Sequence, residues 1–295
     1  MSSRARALWL AAMPGLFVFL WSTGFIGAKF GLPFVEPCTF LAIRFWLVAG
    51  LLLALSLAMK APWPKGTAQI LHIALAGLLV HGVYLGGVFA SIHQGVEAGV
   101  SALIVGVQPL LTALLAGPVL GERVTLRAWV GLVLGFGGVA LVVWNKLGLG
   151  LGTPFAMGLS GLALLGMTAG TIHQKKFCAG MDIRSGGAIQ FVAAAAMMTL
   201  LASIFETGVV DPTPQFWFAL GWLVFVMSLG AITLLYILIR QGEAYRVSTL
   251  FYLVPASTAL IALVLFDERL GPTALGGMAL AAIGVALVNL PAKPR

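Results

Sequence analysis

The side chain with the clearest capacity for chemistry is His81, which stands near the middle of a long run of apolar residues. An imidazole in such surroundings is a functional hypothesis by default, because it can bind a polar group or exchange a proton. The alternative is a neutral histidine that hydrogen-bonds a carbonyl of a neighbouring helix. His81, Tyr84 and Val88 recur at i, i+3 and i+7, so a regular α-helix would place them on one face. We expect that face to present a ring edge and a hydroxyl to a bound molecule.

A tryptophan near the middle of an apolar stretch is less usual than one near its end. Trp21 has this position and could stack on an aromatic molecule or cover a cation, whereas packing toward lipid is the alternative. When the chain is shifted by 146 residues, Trp21 falls on Met167 and the neighbouring Ser22 falls on Thr168. These four residues are therefore candidates for one binding region.

Two prolines mark points where helices are expected to break. Gln108 precedes Pro109, and Tyr252 stands shortly before Pro255. Proline removes a helical hydrogen bond and frees a carbonyl, and ligand sites gather at such broken points in membrane helices. A simple kink without a ligand is the alternative. Gln108 and Tyr252 are candidate binding residues on this argument, and Tyr236 is a further candidate of lower rank.

The positions of the charged residues restrict the chemistry. Every carboxylate falls in a loop or near a helix end: Glu36, Glu97, Glu122, Asp182, Glu206, Asp211, Glu243, Asp267 and Glu268. No acid is therefore central enough to carry a proton or to bind Na⁺, which leaves His81 as the central titratable group. Arg44 is predicted to have a structural role, either paired with Glu36 or extended toward the membrane surface, with attraction of a carboxylate as the alternative.

Composition identifies the solvent that surrounds these residues. The 295 residues are 60% hydrophobic and 9% charged, whereas a soluble domain carries about 25% charged residues. The chain is therefore expected to be an integral membrane protein. The net charge of +8 comes from scattered basic residues, so no nucleic-acid partner is expected. The sequence has no phosphate-binding loop, nucleophile elbow or His/Cys cluster, so we expect no enzyme, no cofactor and no metal.

Apolar stretches long enough to cross a bilayer recur along the chain. Divided at charges, prolines and glycines, they predict ten spans. The predicted spans are 7–30, 38–59, 68–92, 97–119, 125–145, 154–174, 185–205, 215–239, 244–265 and 272–290. With the N-terminus in the cytoplasm, 13 basic residues face the cytoplasm and 4 face outward. The positive-inside rule then predicts that both termini are cytoplasmic.

The chain also matches itself at the shift of 146 residues. Pro109 falls on Pro255, and residues 138–142 (GVALV) fall on the identical residues 284–288. The shift predicts two five-helix repeats, residues 1–146 and 147–295. Since each has an odd number of spans, the second must be inverted, which is a common plan in secondary transporters. Lys60 and Lys65 match Glu206 and Asp211, which fits loops on opposite sides.

Several of these residues resemble a known family. The elements that carry the resemblance are residues 21–25 (WSTGF), Lys29, residues 36–37 (EP), Arg44 and residues 121–123 (GER). The chain resembles the drug/metabolite transporter superfamily in its ten-helix EamA branch, and in character its YddG-like exporters of aromatic amino acids and toxic cations. The resemblance implies an all-α fold around a central cavity. It implies that spans 1, 3, 4, 6, 8 and 9 line the cavity and that spans 5 and 10 lie outside.

These observations predict a secondary transporter of the inner membrane that exports amino acids, preferably aromatic or large apolar ones, by alternating access. Facilitated diffusion is expected, with a proton-coupled drug or metabolite antiporter that uses His81, or a permease for other metabolites, as the alternatives. The expected partners are a small-molecule substrate and membrane lipid. A monomer is expected, with a homodimer as the alternative. The short loops disfavour a scaffold or receptor.

Overall fold

The computed structural model describes residues 3–144, 152–266 and 271–290. Ten helices, most of them continuous, make up the described chain. They are α1 Ser3–Gly31, α2 Pro37–Ala58, α3 Thr67–His93, α4 Gly99–Leu120, α5 Leu126–Val143, α6 Pro154–Phe177, α7 Ile183–Phe205, α8 Pro214–Gln241, α9 from Ala244–Thr249 to Leu253–Phe266, and α10 Pro272–Asn289. Eight of the described helices are long and apolar enough to cross a membrane, and α1 contributes a shorter apolar stretch at Ala12–Gly24.

Helices occur at all ten predicted positions, with ends that agree to within a few residues, and eight of them are confirmed as long and apolar enough to cross a membrane. The predicted boundary between residues 146 and 147 lies outside the described residues. The same holds for Asp267, Glu268 and Arg269 and for the basic residues at the C-terminus, so the structural outcome of those predictions is not described.

Local chemistry explains where the helices begin. Thr125, Thr153 and Thr213 each accept a hydrogen bond of 3.2 Å from a backbone N–H in the first turn of α5, α6 or α8. Asp182 does the same for α7. These side chains satisfy N–H groups that have no partner within the helix. Prolines follow at the first helical position of α2, α6, α8 and α10, where the missing N–H does no harm.

Contacts between loops show which loops share a face of the helix bundle. Ser185, after α6, donates a hydrogen bond of 2.6 Å to the carbonyl of Pro62, after α2. Glu122, after α4, accepts one of 2.8 Å from the N–H of Ala244, after α8. We call this side the basic face, because its loops carry Lys60, Lys65 and Arg123. The loops after α2, α4, α6 and α8 therefore lie together.

The remaining loops meet on the opposite face. Val35, after α1, forms an antiparallel backbone bridge with Val210, after α7. Glu36 also accepts hydrogen bonds from the N–H and the hydroxyl of Thr207 at 2.7 and 2.6 Å. After α5, Gly152 lies against Val96, which follows α3. Among the described residues, the loops after α1, α3, α5 and α7 thus share one face, as consecutive membrane crossings require.

This alternation makes the two halves inverted. The loop after α1 lies on the opposite face, whereas the loop after its counterpart α6 lies on the basic face. A second sign of repetition is a π-helical segment in the middle of α3, Leu78–Leu85, and another in α8, Leu223–Ala231. The shift of 146 residues carries Leu85 onto Ala231, so both halves have the same irregularity at matched positions.

The glycines of α5 pack closely against α10. A Cβ atom on Gly138 would collide with the backbone of Ala281 and with the carbonyl of Gly277, both in α10. A Cβ atom on Gly131 would lie 2.6 Å from the carbonyl of Gly284. Small residues let the two helix backbones approach closely where no hydrophobic driving force acts between helices. In the same way α2 packs along α7, so matched helices pair across the two halves.

Candidate functional site

A small cavity lies inside the bundle and is the candidate functional site. Its volume is about 40 Å³, which is room for a few water molecules, since one water needs about 10–15 Å³. Its walls are mostly apolar and come from α1, α3, α4, α5, α6 and α9. They comprise Trp21, Tyr84, Val88, Ser101, Ala102, Val105, Gly106, Gln108, Val139, Met167, Phe251, Val254 and Pro255. An amino acid would fit only after these helices move apart.

Four of the predicted binding residues meet in this wall: Trp21, Tyr84, Gln108 and Met167. Two expectations about the helices are corrected. Val139 of α5 contributes to the wall, although α5 was expected to lie outside, and no residue of α8 does. α5 reaches the cavity because it contacts both α4 and α9, whereas the middle of α8 packs on Gly24 and Gly27 of α1.

Trp21 forms an aromatic wall of the cavity. Only 3% of its surface is exposed, so packing toward lipid is ruled out. Its ring centroid lies 5.3 Å from that of Phe17 and 5.1 Å from that of Phe251, which meets it edge-on at 84°. Edge-to-face pairs of this kind are favourable because the positive edge of one ring meets the negative face of the other. Phe251 was not predicted, although it directly precedes the candidate Tyr252.

Tyr252 itself lies elsewhere. Its ring packs against Gly135 of α5, where a Cβ atom would collide with it, and it does not line the cavity. The backbone of α9 forms a 3₁₀ turn at Leu250–Tyr252. A 3₁₀ helix has about 3.0 residues per turn rather than 3.6. This turn therefore presents Phe251 to the cavity, where a regular helix would have presented Tyr252.

The shared face predicted for His81, Tyr84 and Val88 is also corrected. Tyr84 and Val88 line the cavity, but His81 does not. His81 and Tyr84 lie in the π-helical segment of α3. There the backbone hydrogen bonds join residues i and i+5, so successive side chains are rotated by a different angle from that of an α-helix. Such segments occur frequently at functional sites.

His81 instead belongs to a buried cluster behind the cavity wall. It is fully buried, and its ring stacks on Phe191 at 4.2 Å. Its Nε2 atom and the Tyr236 hydroxyl are hydrogen-bonded at 3.1 Å, so two predicted residues meet here. The Nδ1 atom has no hydrogen-bond partner among the described residues. The predicted alternative, a bond to a helix carbonyl, is therefore wrong.

Gln108 lies at one end of the cavity, where α4 is interrupted after Val105 and resumes at Gln108. Its side-chain nitrogen, which has two N–H groups to donate, lies within hydrogen-bond distance of the hydroxyls of Thr112 at 2.9 Å, Ser248 of α9 at 3.2 Å and Thr171 of α6 at 3.4 Å. These residues, the glutamine cluster, tie α4, α6 and α9 together. They close the cavity toward the basic face.

A second hydroxyl cluster, the serine cluster, closes the side toward the opposite face. Ser91 of α3 and Ser160 of α6 are hydrogen-bonded at 2.6 Å, and Ser160 donates to Ser101 of α4 at 2.9 Å. All three are buried. Ser91 and Ser160 were not predicted. When the repeat is shifted by one more residue, Ser101 matches Ser248. Ser101 belongs to the serine cluster and Ser248 to the glutamine cluster, so matched serines lie at the two ends of the cavity.

Ser22 and Thr168 lie beside the cavity and bond to the backbone. The Ser22 hydroxyl donates to the carbonyl of Val18 at 2.7 Å and to that of Val254 in α9 at 3.3 Å. The Thr168 hydroxyl donates to the carbonyl of Leu164 at 2.8 Å. Both are buried next to the wall residues Trp21 and Met167, but neither is part of the cavity lining.

Neither expected position of Arg44 is observed. Its guanidinium is 2% exposed and bonds to Ser228 of α8, so it does not extend toward the surface. Glu36 bonds to Thr207 and Gly208 rather than to Arg44. The prediction failed because the partner of Arg44 is 184 residues away along the chain.

An open cleft on the basic face contains a second set of polar groups. Lys175 of α6 donates to the carbonyls of Ile239 and Gly242 at 2.8 and 2.5 Å, at the end of α8. One oxygen of Glu122 accepts from the N–H of Ala244, and the other, Oε2, is buried without a hydrogen-bond partner in the described chain. Burial raises the pKa of the Glu122 carboxyl above its ordinary value of 4.5, and the N–H groups of α9 and Lys175 oppose this only in part.

Glu122 should therefore make stability depend on pH. Its pKa is raised in the folded chain, so the free energy of unfolding should fall as the pH rises from 4.5 through the raised pKa. Glu122→Gln should remove this dependence, so the variant should gain stability relative to wild type as the pH rises. The apparent unfolding temperature in detergent between pH 4 and about 8 measures it. Glu97→Gln, on the opposite face, is the control, and a difference for Glu122→Gln that stays constant with pH would contradict the assignment.

Eight membrane-length helices and a shorter apolar stretch in the described chain, with inverted halves around a mostly apolar cavity that has a few polar groups, are typical of a helical membrane transporter. The sequence profile described as the EamA-like transporter family matches the chain twice, over residues 9–144 and 155–290. The chain belongs to this family, within the drug/metabolite transporter superfamily. It is therefore a multi-pass membrane protein that transports a small molecule.

Similar proteins come from several organisms. The Escherichia coli K12 protein named "Uncharacterized inner membrane transporter YedA" is 26% identical over 281 residues, which cover 93% of this chain and 90% of that protein. "Uncharacterized transporter YvbV" of Bacillus subtilis 168 is 26% identical and covers 96% and 92%. The Escherichia coli K12 "Probable amino-acid metabolite efflux pump" is 26% identical and covers 86% of each. A solved structure described as "Crystal structure of protein" superposes with a TM-score of 0.79 at 19% identity over 94% of this chain and 95% of that one, which shows the fold alone.

Proposed function

We propose that the chain exports amino acids, preferably aromatic or large apolar ones, across the inner membrane by alternating access. The observation that carries the proposal is the cavity wall, in which Trp21, Phe251 and Met167 form an apolar surface next to the polar groups of Tyr84 and Gln108. Such a wall suits a molecule with an apolar side chain and a small polar end. The name of the amino-acid metabolite efflux pump, a relative at 26% identity, supports it.

The two hydroxyl clusters support alternating access. The serine cluster and the glutamine cluster each join α4 and α6 to a third helix, one on either side of the cavity. Neutral hydrogen bonds inside a membrane bundle are worth about 0.6 kcal/mol on average, so either cluster can open without a large penalty. We infer that the serine cluster opens toward the outside and the glutamine cluster toward the cytoplasm, with both termini cytoplasmic and the chain acting as a monomer.

Flux through reconstituted protein tests the substrate. Purified protein in liposomes should carry radiolabelled phenylalanine or tryptophan down a concentration gradient faster than empty liposomes do. Alanine and glutamate serve as small and charged competitors, and they should compete weakly. The absence of flux for every amino acid would refute the substrate assignment, while flux of another metabolite would favour the alternative permease.

The second candidate is a proton-coupled antiporter, which the unpartnered Nδ1 atom of the buried His81 favours. Coupling requires that an imposed pH gradient drive the substrate uphill. We expect flux to follow the substrate gradient alone, because no carboxylate of the described chain lies at the depth of the cavity. Uphill flux that is lost in His81→Ala and kept in His93→Ala would instead establish the antiporter.

A further inference from the structure

Arg44 is a buried cation inside the membrane bundle. It lies about two turns into α2, and only 2% of its surface is exposed. Its Nε and Nη2 atoms both donate to the hydroxyl of Ser228 in α8, at 3.1 and 3.0 Å. The guanidinium carbon also lies 5.8 Å from the ring centroid of Phe45. A guanidinium has five N–H donors. In the described chain, the Ser228 hydroxyl is the hydrogen-bond acceptor of Arg44.

Within residues 3–144, 152–266 and 271–290, no carboxylate pairs with Arg44. The ion pairs found there join Arg184 to Asp182 and Arg246 to Glu243 near the basic face. A buried charge without an opposite charge is strongly unfavourable, because neither water nor a counterion compensates it. A cation that is kept in such a place is well suited to an anion that arrives with a ligand.

Ser228 and Tyr84 connect Arg44 to the surroundings of the cavity. Ser228 lies in the π-helical segment of α8, next to Met227. Met227 packs on Gly24 of α1, and Gly24 is one helical turn beyond the wall residue Trp21. From α3, the Tyr84 hydroxyl is within electrostatic range of the guanidinium, and Tyr84 lines the cavity. Tyr84 is therefore the residue that both lines the cavity and interacts with the guanidinium.

The other half of the molecule shows that the repeat alone does not require this charge. The shift of 146 residues places Gln190 at the counterpart of Arg44. Gln190 is fully buried, and its nitrogen donates to the side-chain oxygen of Gln174 at 2.8 Å. A neutral amide paired with a second amide therefore suffices for packing at this position. The cation occurs in one half only, as expected for a substrate with a single anionic group.

We propose that Arg44 and Ser228 form the binding site for the carboxylate of the transported molecule. The site opens to the cavity when Tyr84 moves aside, and the guanidinium then binds the two carboxylate oxygens with parallel N–H bonds. Ser228, released from Arg44, donates its hydroxyl to the same carboxylate. The apolar part of the substrate stays between Trp21 and Phe251. This proposal rests on the proposed function and names the group by which an amino acid is recognised.

Competition binding in nanodiscs tests the proposal with three compounds that share one ring. They are phenylalanine, phenylalanine amide, which lacks the carboxylate, and 3-phenylpropionate, which lacks the amine. Wild-type protein should prefer phenylalanine to the amide by at least about tenfold, as expected for charge-assisted hydrogen bonds. Arg44→Gln, which copies the residue of the other half, should reduce this ratio to below about twofold.

Two further variants separate recognition from folding. Arg44→Lys keeps the charge but loses the planar fork, so it should keep a preference for the acid at reduced affinity. Ser228→Ala should weaken phenylalanine and 3-phenylpropionate alike and leave the amide unchanged. If Arg44→Gln fails to fold, the acid-to-amide ratio of wild-type protein and the effect of Ser228→Ala still decide. Equal binding of the acid and the amide to wild-type protein overturns the proposal.

The outcomes also separate this site from the proposed function. Binding of 3-phenylpropionate that depends on Arg44, without binding of phenylalanine, supports the carboxylate site and refutes the aromatic amino-acid substrate. Binding of phenylalanine with a ratio that Arg44→Gln does not alter supports the substrate and overturns the site. If none of the three compounds binds, both are overturned.

Discussion

A disulfide between Ser91→Cys and Ser160→Cys is expected to reduce transport to the background rate, and chemical reduction is expected to restore it. The two hydroxyl oxygens are 2.6 Å apart in the serine cluster, so cysteines there have their sulfur atoms within reach of a bond. The cross-link would hold α3 to α6, which carry Tyr84 and Met167 of the cavity wall. A substrate could then not pass between these helices on the opposite face.

The measurement is phenylalanine flux in liposomes before and after oxidation, in a chain whose Cys38 and Cys178 have been replaced by alanine. Each single cysteine variant, treated with the same oxidant, is the control for chemical damage. Gel mobility after proteolysis between α3 and α6 quantifies the cross-link. Undiminished flux through fully cross-linked protein would show that these helices need not separate, and the assignment of the serine cluster as a gate would be wrong.

The helices could be predicted closely because their ends depend on local chemistry. Lipid requires about 20 apolar residues for each crossing, and threonine caps or prolines at the first helical position mark the starts of α2, α5, α6, α8 and α10. Thr153 with Pro154 and Thr213 with Pro214 show this directly. The inverted arrangement followed from an odd number of spans in each repeat, and loop contacts such as Val35 to Val210 agree with it.

The site was harder to predict, because small irregularities of the backbone decide which side chain faces the cavity. A regular helix would have put His81 beside Tyr84, but the π-helical segment of α3 turns His81 toward Phe191. The 3₁₀ turn in α9 presents Phe251 to the cavity instead of Tyr252. Neither irregularity leaves a signal in hydropathy. The repeat did contain one signal that was not used, the match of Ser101 with Ser248.

The irregular segments and the hydroxyl clusters together suggest how the bundle moves. The paired helices α2–α7 and α5–α10 pack along each other, and glycines of α5 and α10 leave no room for sliding at their contact. The other helices around the cavity are different. In α3, α4 and α9 the regular α-helix is interrupted in mid-course, and weak neutral bonds join α3, α4, α6 and α9. Motion should therefore concentrate in these four helices, while the two pairs act as a rigid frame.

Trp21→Ala is expected to lower the affinity for aromatic amino acids by about tenfold or more. The indole is the largest side chain in the wall, and its ring contacts both Phe17 and Phe251. A ring of the substrate that packs on it gains about 0.5–1.5 kcal/mol beyond simple burial, and 1.4 kcal/mol corresponds to a factor of ten. Leucine, which lacks a ring, should lose less affinity than phenylalanine.

The comparison of phenylalanine, which has an aromatic ring, with leucine, which has an aliphatic side chain, makes this prediction specific. Trp21→Phe should keep most of the phenylalanine affinity, because it restores an aromatic face at the same place. Trp9→Ala is the matched control, since Trp9 belongs to the same helix but is 46% exposed on its outer surface. The measurement is the ratio of phenylalanine to leucine affinity in each variant. If Trp21→Ala weakened both amino acids equally, Trp21 would act only by packing α1 against α9. The aromatic preference would then have to come from Phe251 or from outside this cavity.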